Sequence, residues 1–152
     1  MGMHTKKLKE GVDLRVLPAD KFKTNIVSMF FHIPRQRATV TKAALLPSVL
    51  KRGSEKYPRF TDMSRYLEEL YSASCSAGVR MKGDGQVLYF TMEYISDRYI
   101  GQNLTREIVE FLREFVFSPL VRDGGFLPEY VESEKTNLKQ TILGLINDKK
   151  EY

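Results

Sequence analysis

The sequence is poor in the residues from which most metal and nucleophilic sites are built. Its 152 residues include one cysteine, Cys75, two histidines, His4 and His32, and no tryptophan. A single cysteine excludes an internal disulfide and a zinc site made of several thiolates. The two histidines are too far apart in sequence to form the helical pair that many zinc hydrolases use. We therefore expect Cys75 to act as a small buried hydrophobic residue, in a protein of the reducing cytoplasm.

Long apolar runs are also missing. No stretch approaches the ~18–20 apolar residues that a membrane-spanning helix needs. The polar residues 1–11 lack the apolar core of a signal peptide, and we expect no membrane partner. Lysine and arginine number 24 against 19 aspartates and glutamates, a net charge of +5. Because the basic residues are dispersed, we expect no nucleic-acid partner. A basic nucleic-acid-binding module is the third functional hypothesis, and its binding would weaken steeply with salt.

Four β-rich segments predict two hairpins. Residues 12–16 alternate as a half-buried strand, and residues 25–33 are more continuously apolar, as in a central strand. These two strands are predicted to pair across the turn at residues 18–20, which leaves His4 in a flexible N-terminus. Strands over 74–81 and 87–95 are predicted to pair across the tight turn at residues 82–85. That turn leads into a strand, so we do not interpret it as a phosphate-binding loop.

Four further segments predict helices. The first spans 39–50 and should kink or break at Pro47. The second spans 61–72 with Thr61 as its N-cap, the third spans Leu104 to Phe115, and the fourth starts near Pro128. The apolar side of the fourth consists of Val131, Leu138, Ile142, Leu145 and Ile146, before the helix fades over 147–150. Hairpins interspersed with helix pairs predict an α+β fold of two layers, an antiparallel-dominated sheet covered by helices.

The order of several short motifs carries a resemblance to a known family. The motifs are Lys21-Phe22-Lys23-Thr24, residues 50–58 (LKRGSEKYP), residues 66–71 (YLEELY), Phe117-Ser118-Pro119 and residues 131–135 (VESEK). Together they resemble the N-terminal half-domain of the M16 (pitrilysin/insulinase-like) metallopeptidase family, over nearly the whole chain. Within it, the chain looks most like the bacterial M16-like proteins associated with modification of elongation factor P. The resemblance implies that residues 1–152 are the N-terminal part of one M16-like domain, a fragment of a longer protein.

The family's catalytic motif is absent where the resemblance places it. Active members carry His-x-x-Glu-His just before the turn that the segment around Gly53 resembles. Aligned on that glycine, the two zinc histidines fall on Ala44 and Ser48, and the catalytic base falls on Pro47. The third ligand, a glutamate seven residues after a Glu-Arg/Lys pair, falls on Thr141. Alanine donates nothing to a metal and proline accepts no proton, so we expect no zinc cofactor and no catalytic residue.

The resemblance implies a role for the chain as well as the absence of the catalytic motif. M16 proteins often act in pairs in which a degenerate member helps to enclose the peptide, so the chain is expected to be a scaffold or peptide-holding partner of an active M16 paralogue. Family members bind extended peptides at a sheet edge. We expect strands 25–33 and 87–95 to be internal, and therefore name no peptide-binding residue. The alternative is an active zinc-dependent peptidase in its full-length or paired form, or one using an unrecognised site that needs His32.

Overall fold

The computed structural model describes residues 2–145, except for the side chain of Leu145. Within that range the elements follow in the order β1 (His4–Lys9), β2 (Val12–Val16), β3 (Thr24–Pro34), α1 (Val40–Leu50), α2 (Phe60–Glu69), β4 (Ser74–Lys82), β5 (Gly85–Ile95), α3 (Asp97–Ile100), α4 (Leu104–Phe117), β6 (Val121–Arg122), β7 (Gly125–Phe126) and α5 (Pro128–Leu145). The predicted Ile146 and the fading of the last helix over 147–150 lie outside the described residues.

The main sheet has three antiparallel strands in the order β3-β5-β4. The predicted β4–β5 hairpin is confirmed, and β5 is internal as expected. The central position predicted for residues 25–33 is wrong, because among the described residues β3 pairs with β5 alone. Its outward residues Ile26 and Phe30 are apolar yet 65% and 67% exposed. Apolar residues on both faces of β3 therefore do not signify burial on both faces.

The N-terminal hairpin differs from the predicted one. Strand β2 pairs with β1, so the predicted pairing of strands 12–16 and 25–33 is wrong. His4 lies in β1 rather than in a flexible segment. The tight turn between the two strands contains Gly11 at φ +72°, a conformation that glycine adopts without strain. Strand β2 is exposed along its whole length instead of half-buried.

Helices α1 and α2 begin and end differently from the prediction. Helix α1 is continuous from Val40 to Leu50, so Pro47 does not break it. The N-cap of α2 is Arg59 rather than Thr61. Asp62 accepts hydrogen bonds from the Arg59 backbone N–H and guanidinium at 3.2 and 3.0 Å, which satisfies a backbone donor at the helix start. Helix α2 ends at Glu69, and Tyr71 and Ser72, which follow the C-cap Leu70, have positive φ.

The later elements follow the prediction closely. Helices α4 and α5 start at Leu104 and Pro128. The loop predicted at 123–125 is the turn of a small hairpin, β6–β7, with Asp123 and Gly124 at positive φ. No helix within residues 2–145 combines the length and the apolarity needed to cross a bilayer.

The core lies between one face of the sheet and the helices that cover it. Side chains from β5 and α4 form its centre, with Met92, Ile108 and Leu112 fully buried. The rings of Phe90 and Phe115 meet edge to face at 5.7 Å, a favourable aromatic geometry. Helix α1 packs on β4 and β5, and α5 packs on α1. The predicted α+β architecture of an antiparallel sheet covered by helices is confirmed.

Candidate functional site

A small polar cleft lies between α1 and α5 and contains most of the positions that sequence analysis singled out. Ala44 and Ser48 lie one turn apart on α1, and Thr141 lies opposite them on α5. Residues four apart share a helix face, which is why the first two lie together. The cleft encloses about 170 Å³ and is also lined by Glu134 and Asn137. The structure thus brings together all three positions at which the M16 resemblance places metal ligands.

Pro47, the fourth position, does not line the cleft. Its side chain is fully buried. At this position proline contributes apolar volume to the packing of α1. The Pro47 side chain therefore does not share the cleft with Ala44, Ser48 and Thr141.

Glu134, Asn137 and Thr141 of the cleft are held by hydrogen bonds. The Thr141 hydroxyl donates to the carbonyl of Asn137 at 3.0 Å, and the Asn137 amide donates to Glu134 Oε1 at 3.3 Å. The Arg52 guanidinium donates from Nε to the same carboxylate oxygen and from Nη2 to Ser133 Oγ at 2.9 Å. The Glu134 side chain is only 13% exposed, so Arg52 is its compensating charge.

Sequence analysis missed the Arg52–Glu134 pair. Both residues stand in the motifs that carry the family resemblance, but they are 82 positions apart. Pairing over that separation depends on how α5 packs against the end of α1. No periodicity within either helix signals it.

The donor set of the cleft does not fit a zinc ion. Zinc sites in proteins take three or four ligands from histidine, cysteine and carboxylate side chains. The cleft offers one carboxylate, which Arg52 already binds, together with two hydroxyls and an amide. Across residues 2–145, no group of three or more histidine, cysteine, aspartate or glutamate residues is arranged to hold a metal ion.

The turn that follows α1 holds the end of this helix in place. Ser54 is fully buried, and its backbone N–H donates to the Tyr57 carbonyl at 2.8 Å, while its hydroxyl accepts from the Tyr57 N–H at 3.2 Å. Gly53 is required for a close approach. A Cβ on it would lie 2.3 Å from the carbonyl oxygen of Pro58. The family-like turn therefore has a structural role that does not depend on any metal.

Glu114 links this turn to α4. Its carboxylate accepts a hydrogen bond from the Lys56 backbone N–H at 2.9 Å. Burial alone would raise the pKa of Glu114, but hydrogen bonds from Lys56, Ser54 and Ser118 outweigh it and hold the pKa below its usual value. The carboxylate is thus an anchor of the turn that stays ionised at neutral pH.

The other candidate groups do not converge on the cleft. His32 is exposed on the outward face of β3, across the sheet from α1, and His4 is exposed on β1. Cys75 packs against the core, and burial raises the pKa of its thiol to about 11. A thiol with that pKa stays protonated at neutral pH and is a poor nucleophile, in agreement with its predicted role as a small hydrophobic residue.

Comparison with known proteins finds similarity in sequence and in structure. No protein-family model matches the chain. The "Probable inactive metalloprotease YmfF" of Bacillus subtilis (strain 168) is 37% identical over 146 residues, which are 93% of this chain and 34% of that protein. The crystal structure of a conserved protein from Enterococcus faecalis V583 superposes with a TM-score of 0.92 at 34% identity, covering 99% of this chain and 36% of that one. The chain therefore spans about a third of the length of each relative, and over that third it is similar in sequence to a metalloprotease named as inactive.

Proposed function

We propose that the chain is part of a catalytically inactive M16-like domain that serves as a scaffold or peptide-holding partner of an active M16 paralogue. The observation that carries this proposal is the convergence of Ala44, Ser48 and Thr141 on one cleft. The resemblance assigns these positions to metal ligands, and all three line the same cleft between two helices. None of the three positions carries an imidazole, thiolate or carboxylate, the side chains that zinc takes as ligands in proteins.

The similarity to a probable inactive metalloprotease supports the loss of activity. The M16 assignment, and within it the likeness to proteins associated with modification of elongation factor P, belongs to the same proposal. So does the assignment of residues 1–152 to the N-terminal part of one M16-like domain. We also place the protein in the cytoplasm, because its single cysteine suits a reducing compartment.

Two strand edges are available to hold a peptide. Within the described residues, β3 and β4 each pair only with β5, so each has one side with unpaired backbone groups. An extended peptide can add to such an edge through main-chain hydrogen bonds. Strand β5 cannot do so, because it is paired on both sides. The peptide-holding role is therefore proposed for β3 or β4.

The loss of the metal site is tested by metal analysis of the purified protein. The purified protein is dialysed against zinc, and its zinc content is measured by inductively coupled plasma mass spectrometry. We expect this content to be far below one equivalent. We also expect no cleavage of a quenched fluorescent peptide library. The proposal would be contradicted if the unaltered protein bound about one equivalent of zinc and a Ser48→Ala/Thr141→Ala variant did not.

The partner role needs a separate experiment. The full-length protein should co-purify with a paralogue that carries His-x-x-Glu-His, and should raise that paralogue's rate of peptide cleavage. An unchanged rate at saturating full-length protein would reject the partnership while leaving the absence of a metal site intact.

A further inference from the structure

An apolar groove lies beside the polar cleft, between the same two helices. It is lined by Leu45 of α1 and by Leu138, Ile142 and Leu143 of α5, and encloses about 330 Å³. Its walls are almost wholly apolar, yet Ile142 and Leu143 are more than half exposed. We call this surface the α1–α5 groove. Its volume lies in the range of pockets that bind a ligand or an anchoring side chain.

Lysine side chains surround the apolar floor. Lys42, Lys135 and Lys139 line the α1–α5 groove, and among residues 2–145 no acidic residue does. Lys135 is paired with Glu132 at 2.6 Å, whereas Lys42 and Lys139 have no ion-pair partner within residues 2–145. The first turn of α1, which contains Lys42, has no acidic residue to complement the positive end of the helix dipole. The surface therefore combines apolar contact area with a positive potential.

The charge of this rim determines which occupant fits. A second copy of the chain docking through the same surface would bring two lysine rims together, and this like-charge contact is unfavourable. A lipid surface usually takes up a convex apolar helix face, whereas this surface is a recess between two helices. An occupant with apolar side chains and carboxylates complements both features.

The backbone around the groove determines the conformation of the occupant. Both walls are helices, whose backbone hydrogen bonds are satisfied internally except at their ends. An extended peptide would therefore find no strand edge to pair with at this position. A helix satisfies its own backbone and presents apolar side chains along one face, which is the helix-in-groove mode of recognition.

We propose that the α1–α5 groove binds an acidic amphipathic helix of a protein partner. Apolar side chains of that helix pack between Leu45 and Ile142, and its carboxylates pair with Lys42 and Lys139. The inference goes beyond the proposed function, because it depends on neither the loss of zinc nor the use of β3 or β4. A failure here would leave the metal analysis and the paralogue assay unaffected.

The probe for this proposal is a fluorescein-labelled helical peptide with leucine at positions i, i+3, i+4 and i+7 and glutamate on the flanks. Its matched control keeps the leucines and carries lysine in place of glutamate. Fluorescence anisotropy with the 152-residue chain should show saturable binding of the acidic peptide and at least about tenfold weaker binding of the basic one. Equal affinity for the two peptides, or no saturable binding of the acidic one, would overturn the proposal.

Variants locate the binding surface. Ile142→Asp should weaken the acidic peptide about tenfold, because it places a charge in the apolar wall. Val109→Asp is its control, since Val109 is a 41% exposed apolar residue on α4, outside the groove. Lys42→Glu/Lys139→Glu should reverse the preference between the two peptides. These positions are exposed, and circular dichroism would verify that each variant folds.

Two outcomes would place binding elsewhere. Equal effects of Ile142→Asp and Val109→Asp would show that the peptide does not use the α1–α5 groove. In the second outcome, the chain fails to bind the acidic peptide but sediments with vesicles of phosphatidylserine and phosphatidylcholine, and loses this sedimentation in Ile142→Asp. That result would identify a lipid surface as the occupant and reject the protein partner.

Discussion

The interface of α4 with the sheet and the interface of α5 with α1 differ sharply in how they are packed. Where α4 meets the sheet, Phe90, Ile108 and Phe115 are at most 2% exposed. Where α5 meets α1, residues are half-buried or exposed, and a polar cleft and an apolar groove remain between the helices. The first interface contains the core of the fold, and the second contains Ala44, Ser48 and Thr141, the positions to which the M16 resemblance assigns metal ligands. Because these three positions lie outside the core, residues without metal-binding side chains are compatible with the fold there.

The largest expected effect comes from breaking the α4 interface. Phe115→Ala should lower the free energy of unfolding by ~3–5 kcal/mol, because the ring is fully buried against Phe90 and its loss leaves a cavity. Phe117→Ala is the matched control, since that ring is 60% exposed, and it should lower the same free energy by about 1 kcal/mol or less. Urea titration followed by circular dichroism measures both. Similar losses in the two variants would contradict the distinction between core and surface.

The next effect concerns the turn that fixes the end of α1. Gly53→Ala should destabilise the fold by ~1–3 kcal/mol, because its Cβ would overlap the Pro58 carbonyl oxygen. Gly125→Ala is the control, with no atom within 4 Å of the added Cβ and a negative φ, and should change stability by less than about 0.5 kcal/mol. Equal stability of the two variants in urea would show that the turn tolerates a side chain.

A smaller effect is expected from the charge pair at the cleft. Arg52→Ala should lower the free energy of unfolding by ~1–2 kcal/mol, since it leaves the Glu134 carboxylate mostly buried without its cation. Arg106→Ala removes a pair between two exposed side chains on α4, and a change below about 0.5 kcal/mol is expected. Thermal unfolding of both variants measures these changes. A larger loss of stability in Arg106→Ala than in Arg52→Ala would contradict the prediction.

These comparisons also show which parts of the molecule were predictable. The turn residues at 82–85 and the 3.6-residue spacing of α4 are local signals, and both predicted the correct elements. The pairing of β1 with β2 was missed because β1 is mostly polar and lacks the alternation of a half-buried strand. The edge position of β3 was missed because Ile26 and Phe30 are apolar and exposed.

The cleft was predictable only in part. Ala44 and Ser48 share a helix face, so their proximity follows from spacing alone. Their proximity to Thr141 depends on how α5 packs on α1, and only the family resemblance pointed to it. The engagement of Glu134 by Arg52 is a tertiary contact between distant residues, and no local pattern encodes it.

The smallest effect at neutral pH concerns Cys75. The folded thiol has a pKa of about 11, above its usual value of 9.0, because burial disfavours the thiolate. Its contribution to stability is fully present below pH 9 and is lost as the pH rises towards 11, where the unfolded chain ionises first. Cys75→Ser should therefore reduce the fall in unfolding free energy between pH 8 and 10.5. An identical fall in both proteins, measured in urea, would contradict burial of the thiol.

The cleft between α1 and α5 brings together the three positions to which the M16 resemblance assigns metal ligands, and none of them carries an imidazole or a carboxylate. The variant Ala44→His/Ser48→His/Thr141→Glu supplies two imidazoles and a carboxylate, the donors that zinc requires. Isothermal titration calorimetry with zinc should show about one equivalent bound by this variant, much weaker binding by Ala44→His/Thr141→Glu, and none by the unaltered chain. Zinc binding by the unaltered chain, or no gain in the triple variant, would contradict the account.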